Sequence, residues 1–75
     1  MSYNREHKQQ VDEWNKKYPK DTPVKYYING DPDIYETILT KSKAFLTYLP
    51  YPVIALYGKV KLVNLNHVKP VEAIE

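Results

Sequence analysis

A chain of 75 residues without cysteine has room for one domain and one core, and neither a disulfide nor a thiolate metal site can staple it. Eleven Lys plus Arg against nine Asp plus Glu leave a net charge of +2, which is not the clustered excess of a dedicated nucleic-acid binder. No apolar run approaches the ~20 residues of a membrane span, and the polar start, Met1 to Gln10, has no apolar segment of signal-peptide type, so the expected location is the cytoplasm.

Stability must come from packing, and the supply is adequate. Apolar residues make up 43% of the chain, with eight Tyr, one Trp and one Phe. Each buried aromatic removes roughly 150–250 Å² from water, so a few of them can hold a small domain together.

Residues 2–18 read as a helix. His7, Val11, Trp14 and Tyr18 recur at spacings of four, three and four and share one stripe. Asp12 with Lys16 and Glu13 with Lys17 are i,i+4 pairs of favourable polarity. Ser2 or Asn4 can cap the start, and Pro19 ends the helix because the residue before a proline avoids the α region. A helix this short needs a surface to lie on, and the Val11–Trp14–Tyr18 stripe is read as core.

From Pro23 the period changes to two. Val24, Tyr26 and Ile28 alternate with Lys25 and Tyr27, as in a half-buried strand. Asn29-Gly30-Asp31-Pro32-Asp33 is turn chemistry. Ile34 to Lys41 is a second β-rich run, in which Ile34, Glu36, Ile38 and Thr40 oppose Tyr35, Thr37 and Leu39. Pro50 and Pro52 forbid a central strand over Ser42 to Tyr51, which reads as a short helical turn and loop.

Val53 to Tyr57 is the most apolar run and is expected to be a central strand. Gly58-Lys59 makes a tight turn, and Val60 to Val63 returns antiparallel. Asn64 to His67 suits one 3₁₀ turn, Val68 to Val71 a last short strand, and 72–75 a fraying tail. No repeat or linker divides residues 1–75, so one domain is expected.

Five short strands without helices between them imply antiparallel pairing and closure into a small five-stranded barrel of SH3-like type, behind one N-terminal α-helix. Strand, tight turn, strand, 3₁₀ turn, terminal strand is how such barrels finish, here from Pro52 to Pro70.

Trp14-Asn15, Tyr18-Pro19, Thr22-Pro23-Val24 and Tyr26 carry a resemblance with four later segments: Glu36-Thr37, Thr40 to Ala44, Pro52-Val53-Ile54 with Gly58, and Leu65-Asn66-His67-Val68. Together they resemble short SH3-like barrel proteins encoded by bacteriophages and other mobile elements of bacteria. Those proteins often carry Gly before the Thr-Pro-Val step, where Asp21 stands here, so the turn entering the first strand is expected to differ. Asn66-His67-Val68-Lys69-Pro70 is also similar to the end of the SH3-like DNA-contacting domain of retroviral-type integrases, read as shared barrel geometry. Neither resemblance implies a known activity.

Catalysis finds little support. Ser42 with His67 and an Asp can be drawn as a nucleophile set, but no G-x-S-x-G elbow accompanies them. Asp31 and Asp33 offer two oxygen ligands without the remainder of a calcium loop, and His7 and His67 lack ligand-spaced companions. His67 is expected to hydrogen-bond a backbone carbonyl of the 3₁₀ turn. The expectation is a non-enzyme without cofactor or metal.

Two binding readings follow. In the first, a phage or mobile-element accessory protein docks on another protein through its barrel loops, using Tyr48, Leu49 and Tyr51 of the proline-bounded segment. In the alternative, interleaved cations and aromatics hold nucleic acid: Lys25 and Tyr27 on the first strand, Lys41 and Lys43 after the second, and Lys59 and Lys61 at the final hairpin, with Lys69 nearby.

Overall fold

Helix α1 spans Arg5–Lys17, and the Tyr18 N–H still donates to the Trp14 carbonyl at 2.8 Å before Pro19 ends the run. The computed structural model describes residues 5–71; the expected caps at Ser2 and Asn4 and the expected frayed tail lie outside the described residues. Val11 and Trp14 are buried, and the Tyr18 ring lies 4.6 Å from the indole, centroid to centroid. The stripe is core, as its spacing requires. Asp12 pairs with Lys8 at 2.7 Å and not with Lys16, and no ion pair joins Glu13 to Lys17 among the described residues. Both members of the Lys8–Asp12 pair are well exposed, which limits it to a few tenths of a kcal/mol.

The strands are β1 (Pro23–Tyr27), β2 (Tyr35–Leu39), β3 (Val53–Ile54), β4 (Val63–Asn64) and β5 (Val68–Pro70). They form two antiparallel sheets, one of three strands in the order β2-β1-β5 and one of two, β3-β4. Tyr27 faces Tyr35 and Val24 faces Ile38 across β1 and β2, while Lys25 faces both Thr37 and Lys69. The register follows from the turn between β1 and β2. Asn29 and Gly30 take φ of +54° and +76°, and the Asp31 N–H closes on the Ile28 carbonyl at 3.0 Å. Asn-Gly tolerates two successive left-handed residues as no bulkier pair does.

Single bridges connect the sheets. Thr40 pairs with Leu56 and Phe45 with Val53, both antiparallel. Between them the Ser42 hydroxyl accepts from the Ala55 N–H at 3.2 Å, so a side chain takes the place of a ladder bond and the β2 continuation bends. The core lies between this continuation, the helix stripe and β5. Val24, Val53, Ile54 and Leu56 are fully buried there, and so is Thr40. Its hydroxyl accepts from the Thr22 N–H at 2.9 Å and donates to the Pro19 carbonyl, which removes the cost of burying it.

Three expectations need correction. Segment 42–51 holds no helical turn; Phe45 and Val53 exchange both backbone hydrogen bonds, at 2.9 and 3.0 Å, and bends at 48–51 close the loop. The run 53–57 is regular strand only at Val53–Ile54, with an isolated bridge at Leu56. The return strand is Val63–Asn64 and not 60–63. Gly58 does make the tight turn, with φ +81° and the Lys59 N–H on the Leu56 carbonyl. The chain then stays off the sheet: Val60 is wholly exposed and Leu62 nearly half exposed. No helix is long and apolar enough to cross a membrane among the described residues. Ladder pairing among them leaves two sheets and no closed ring of strands.

Candidate functional site

Alternation along three paired strands determines what the outer sheet face displays. Val24, Ile38 and Val68 point into the core. Their neighbours, Lys25 and Tyr27 on β1, Tyr35, Thr37 and Leu39 on β2, and Lys69 on β5, therefore point out. The Tyr27 and Tyr35 rings are 5.4 Å apart and tilted by 41°. Lys25 Nζ stands 5.0 Å from the Tyr35 ring centroid, and Lys69 Nζ stands 6.0 Å from that of Tyr27.

Two features of this face are electrostatic. Lys25 and Lys69 are direct cross-strand partners, and like charges placed opposite each other destabilise a sheet. Neither makes an ion pair among the described residues, and none of the six outward residues is acidic. A small cationic field is thus left uncompensated on a surface floored by two tyrosines.

The other expected nucleic-acid residues do not join it. Lys59 belongs to the opposite side, where its Nζ is 2.7 Å from Glu36 and 5.5 Å from the Tyr26 ring centroid. Lys41 and Lys43 are exposed at the bend after β2, and Lys61 is exposed in the loop before β4. Of the six expected residues, Lys25 and Tyr27 meet, and Lys69 and Tyr35 complete the group. Tyr35 stands outside the expected binding set because its partnership with Tyr27 is set by register. The Asn-Gly signal that fixes that register was nonetheless legible.

At the protein-docking candidate, Tyr48 is 95% exposed, while Leu49 and Tyr51 are half-buried. The Leu49 N–H is held by the Thr47 hydroxyl at 3.1 Å, which fixes the loop backbone beneath the free Tyr48 ring.

A cleft of about 320 Å³ adjoins the sheet face, lined by Tyr27, Gly30, Pro32, Asn66, His67 and Lys69. The 3₁₀ turn Leu65–His67 brings His67 over Gly30, so closely that a Cβ on Gly30 would stand 3.0 Å from Nε2. This packing replaces the carbonyl hydrogen bond expected for His67. A second cleft of about 330 Å³ runs along the helix, walled by Trp14, Tyr18 and Val68. Among the described residues no three His, Cys, Asp or Glu side chains are grouped to hold a metal ion. Compared with known proteins, the chain matches no protein-family model, no curated protein and no solved structure.

Proposed function

We propose that this protein is a small non-catalytic binding module, a five-stranded SH3-like barrel, that holds single-stranded nucleic acid on the outer face of β2-β1-β5. The barrel reading is supported by the order of neighbours: β5 beside β1, β1 beside β2, the β2 continuation bridged to Leu56, and β3 beside β4. The observation that carries the functional reading is the opposed pair Lys25 and Lys69, without acidic partners among the described residues, over the Tyr27–Tyr35 platform.

Magnitudes permit the exchange that binding needs. An ammonium over an exposed ring contributes about 0.5–1 kcal/mol, whereas a base stacked on the same ring contributes about 1–3 kcal/mol. A base can therefore displace each lysine from its ring and leave the ammonium to meet a phosphate. With so few lysines the affinity is modest and salt-sensitive. The compartment that fits is the cytoplasm, and a small accessory role agrees with the resemblance to mobile-element proteins. The test is fluorescence anisotropy of a labelled single-stranded oligonucleotide at rising salt. Binding at low salt that fades with salt is expected, and absence of binding at low salt rejects the reading.

A specific observation favours a second reading. Tyr48 is almost wholly exposed on a loop whose neighbours are partly packed, and an exposed rigid aromatic is how protein interfaces anchor. In that reading Tyr48, Leu49 and Tyr51 dock on a protein partner, and salt changes the affinity little.

A further inference from the structure

The cleft beside Tyr27 has chemically mixed walls, with an aromatic ring, a proline, an amide, an imidazole and an ammonium around one space. We propose that it receives one nucleotide of the bound strand, with the phosphate at Lys69 and the nucleoside toward Pro32; this rests on the nucleic-acid reading above.

Three observations carry the assignment. First, Tyr27 and Lys69 belong both to the cleft and to the sheet face, so a strand crossing the face reaches the cleft without a break. Second, the lining is uneven in charge. Lys69, which faces Lys25 across the strands, is the one lysine among the lining residues, and no carboxylate is among them. A phosphate is therefore drawn to Lys69, which leaves the uncharged wall at Pro32 for the nucleoside.

Third, the size fits one residue of a strand. About 320 Å³ falls at the small end of the roughly 300–1,000 Å³ of ligand sites. Tyr27 and Pro32 supply flat apolar walls for a base, while the Asn66 side-chain amide and the His67 imidazole line the same space with hydrogen-bonding groups. Asn66 is held in place, because its Oδ1 accepts from Gln10 Nε2 at 2.8 Å and its backbone N–H donates to Asn64 Oδ1 at 2.9 Å.

The experiment follows backbone amide signals by NMR on the full chain while adding, in separate titrations, a nucleoside monophosphate, inorganic phosphate and a single-stranded oligonucleotide. The monophosphate is expected to move Gly30, Asn66, His67 and Lys69 and to leave Thr37 still, whereas the oligonucleotide moves both groups. Asn66→Asp keeps the acceptor that Gln10 needs and adds a repelling charge. It is expected to weaken the monophosphate roughly fivefold, the effect of one unit charge at about 4 Å in a water-like medium. If the oligonucleotide moves only the sheet residues, or phosphate alone reproduces the monophosphate shifts, the cleft assignment is overturned and the sheet reading stands. If no oligonucleotide signal changes anywhere, both fail.

Discussion

Asn15 and Ala44 hold each other by two hydrogen bonds. Asn15 Nδ2 donates to the Ala44 carbonyl at 2.9 Å, and the Ala44 N–H donates to Asn15 Oδ1 at 2.8 Å. A helix side chain thus behaves as a strand neighbour to the bend after β2, and it ties α1 to the sheets. Ala44 is 3% exposed, so water cannot replace the lost partner. Asn15→Ala is expected to cost about 2–3 kcal/mol, since buried backbone groups left unpaired cost roughly 1–3 kcal/mol each. In urea unfolding the midpoint should fall without a change in slope. A loss below about 0.5 kcal/mol, the scale of an ordinary surface substitution, would mean that the bend holds itself.

Trp14 poses a different question of cost. Its indole is in the core, but Nε1 is buried with no acceptor among the described residues. Trp14→Ala should cost about 3–5 kcal/mol as a large-to-small change. Trp14→Phe removes less volume and also removes the unpaired donor, so it should cost well under half as much. Thermal unfolding of both variants distinguishes the two contributions. Equal losses would show that the indole N–H is satisfied in solution.

The helix stripe, the Asn-Gly turn and the β1–β2 alternation were legible because each is a local pattern with one physical meaning. The helix stops where Pro19 dictates, and Val24 is buried where its alternation places it. What escaped was set by distant partners. Pro50 and Pro52 rule out ladder donors at their own positions but say nothing of Phe45, whose N–H finds the Val53 carbonyl at 2.9 Å. Val60 and Leu62 read as strand by composition, yet burial depends on whether another element lies over them. The site divided in the same way. Lys25 and Tyr27 lie two apart on one strand, so the sequence alone places them together, whereas Lys69, expected near the final hairpin, and Tyr35 reach them only through register.

Asp21 holds a left-handed backbone immediately before Thr22-Pro23-Val24. It takes φ +70°, the region that only Gly enters without steric cost. Its N–H donates to the Thr40 carbonyl at 2.8 Å, so the turn itself keeps the form glycine favours. Asp21→Gly is expected to stabilise the fold by about 0.5 kcal/mol, the relief of a left-handed residue less the greater freedom of an unfolded glycine. Differential scanning calorimetry should show a rise of a few degrees. A lower midpoint would indicate that the carboxylate stabilises the turn in a way its angle does not reveal.

Lysine substitutions separate the binding readings, because the lysines differ in what they already touch. Lys25 and Lys69 face each other with no ion pair to an acid among the described residues, so neutralising either relieves repulsion while removing its ring contact, and stability should stay within about 0.5 kcal/mol. Lys59 is tied to Glu36 at 2.7 Å with both side chains partly exposed, so Lys59→Ala should cost no more than about 1 kcal/mol and spare nucleic-acid binding. If single-stranded nucleic acid lies on the outer face, Lys25→Gln and Lys69→Gln should each weaken it. Each should also reduce the slope of log affinity against log salt by about 0.7, the value for one phosphate contact on a single strand. Tyr35→Ala should weaken binding by about 1–3 kcal/mol through lost stacking with the salt slope unchanged, whereas Tyr48→Ser should have no effect. The opposite pattern, with Tyr48 essential and the two lysines dispensable, would assign recognition to the 46–52 loop and not to the sheet face. The distinction is sharp because Tyr48 lies outside the sheet and Lys25 and Lys69 within it, so one set of anisotropy titrations on variants that all fold reports on both surfaces.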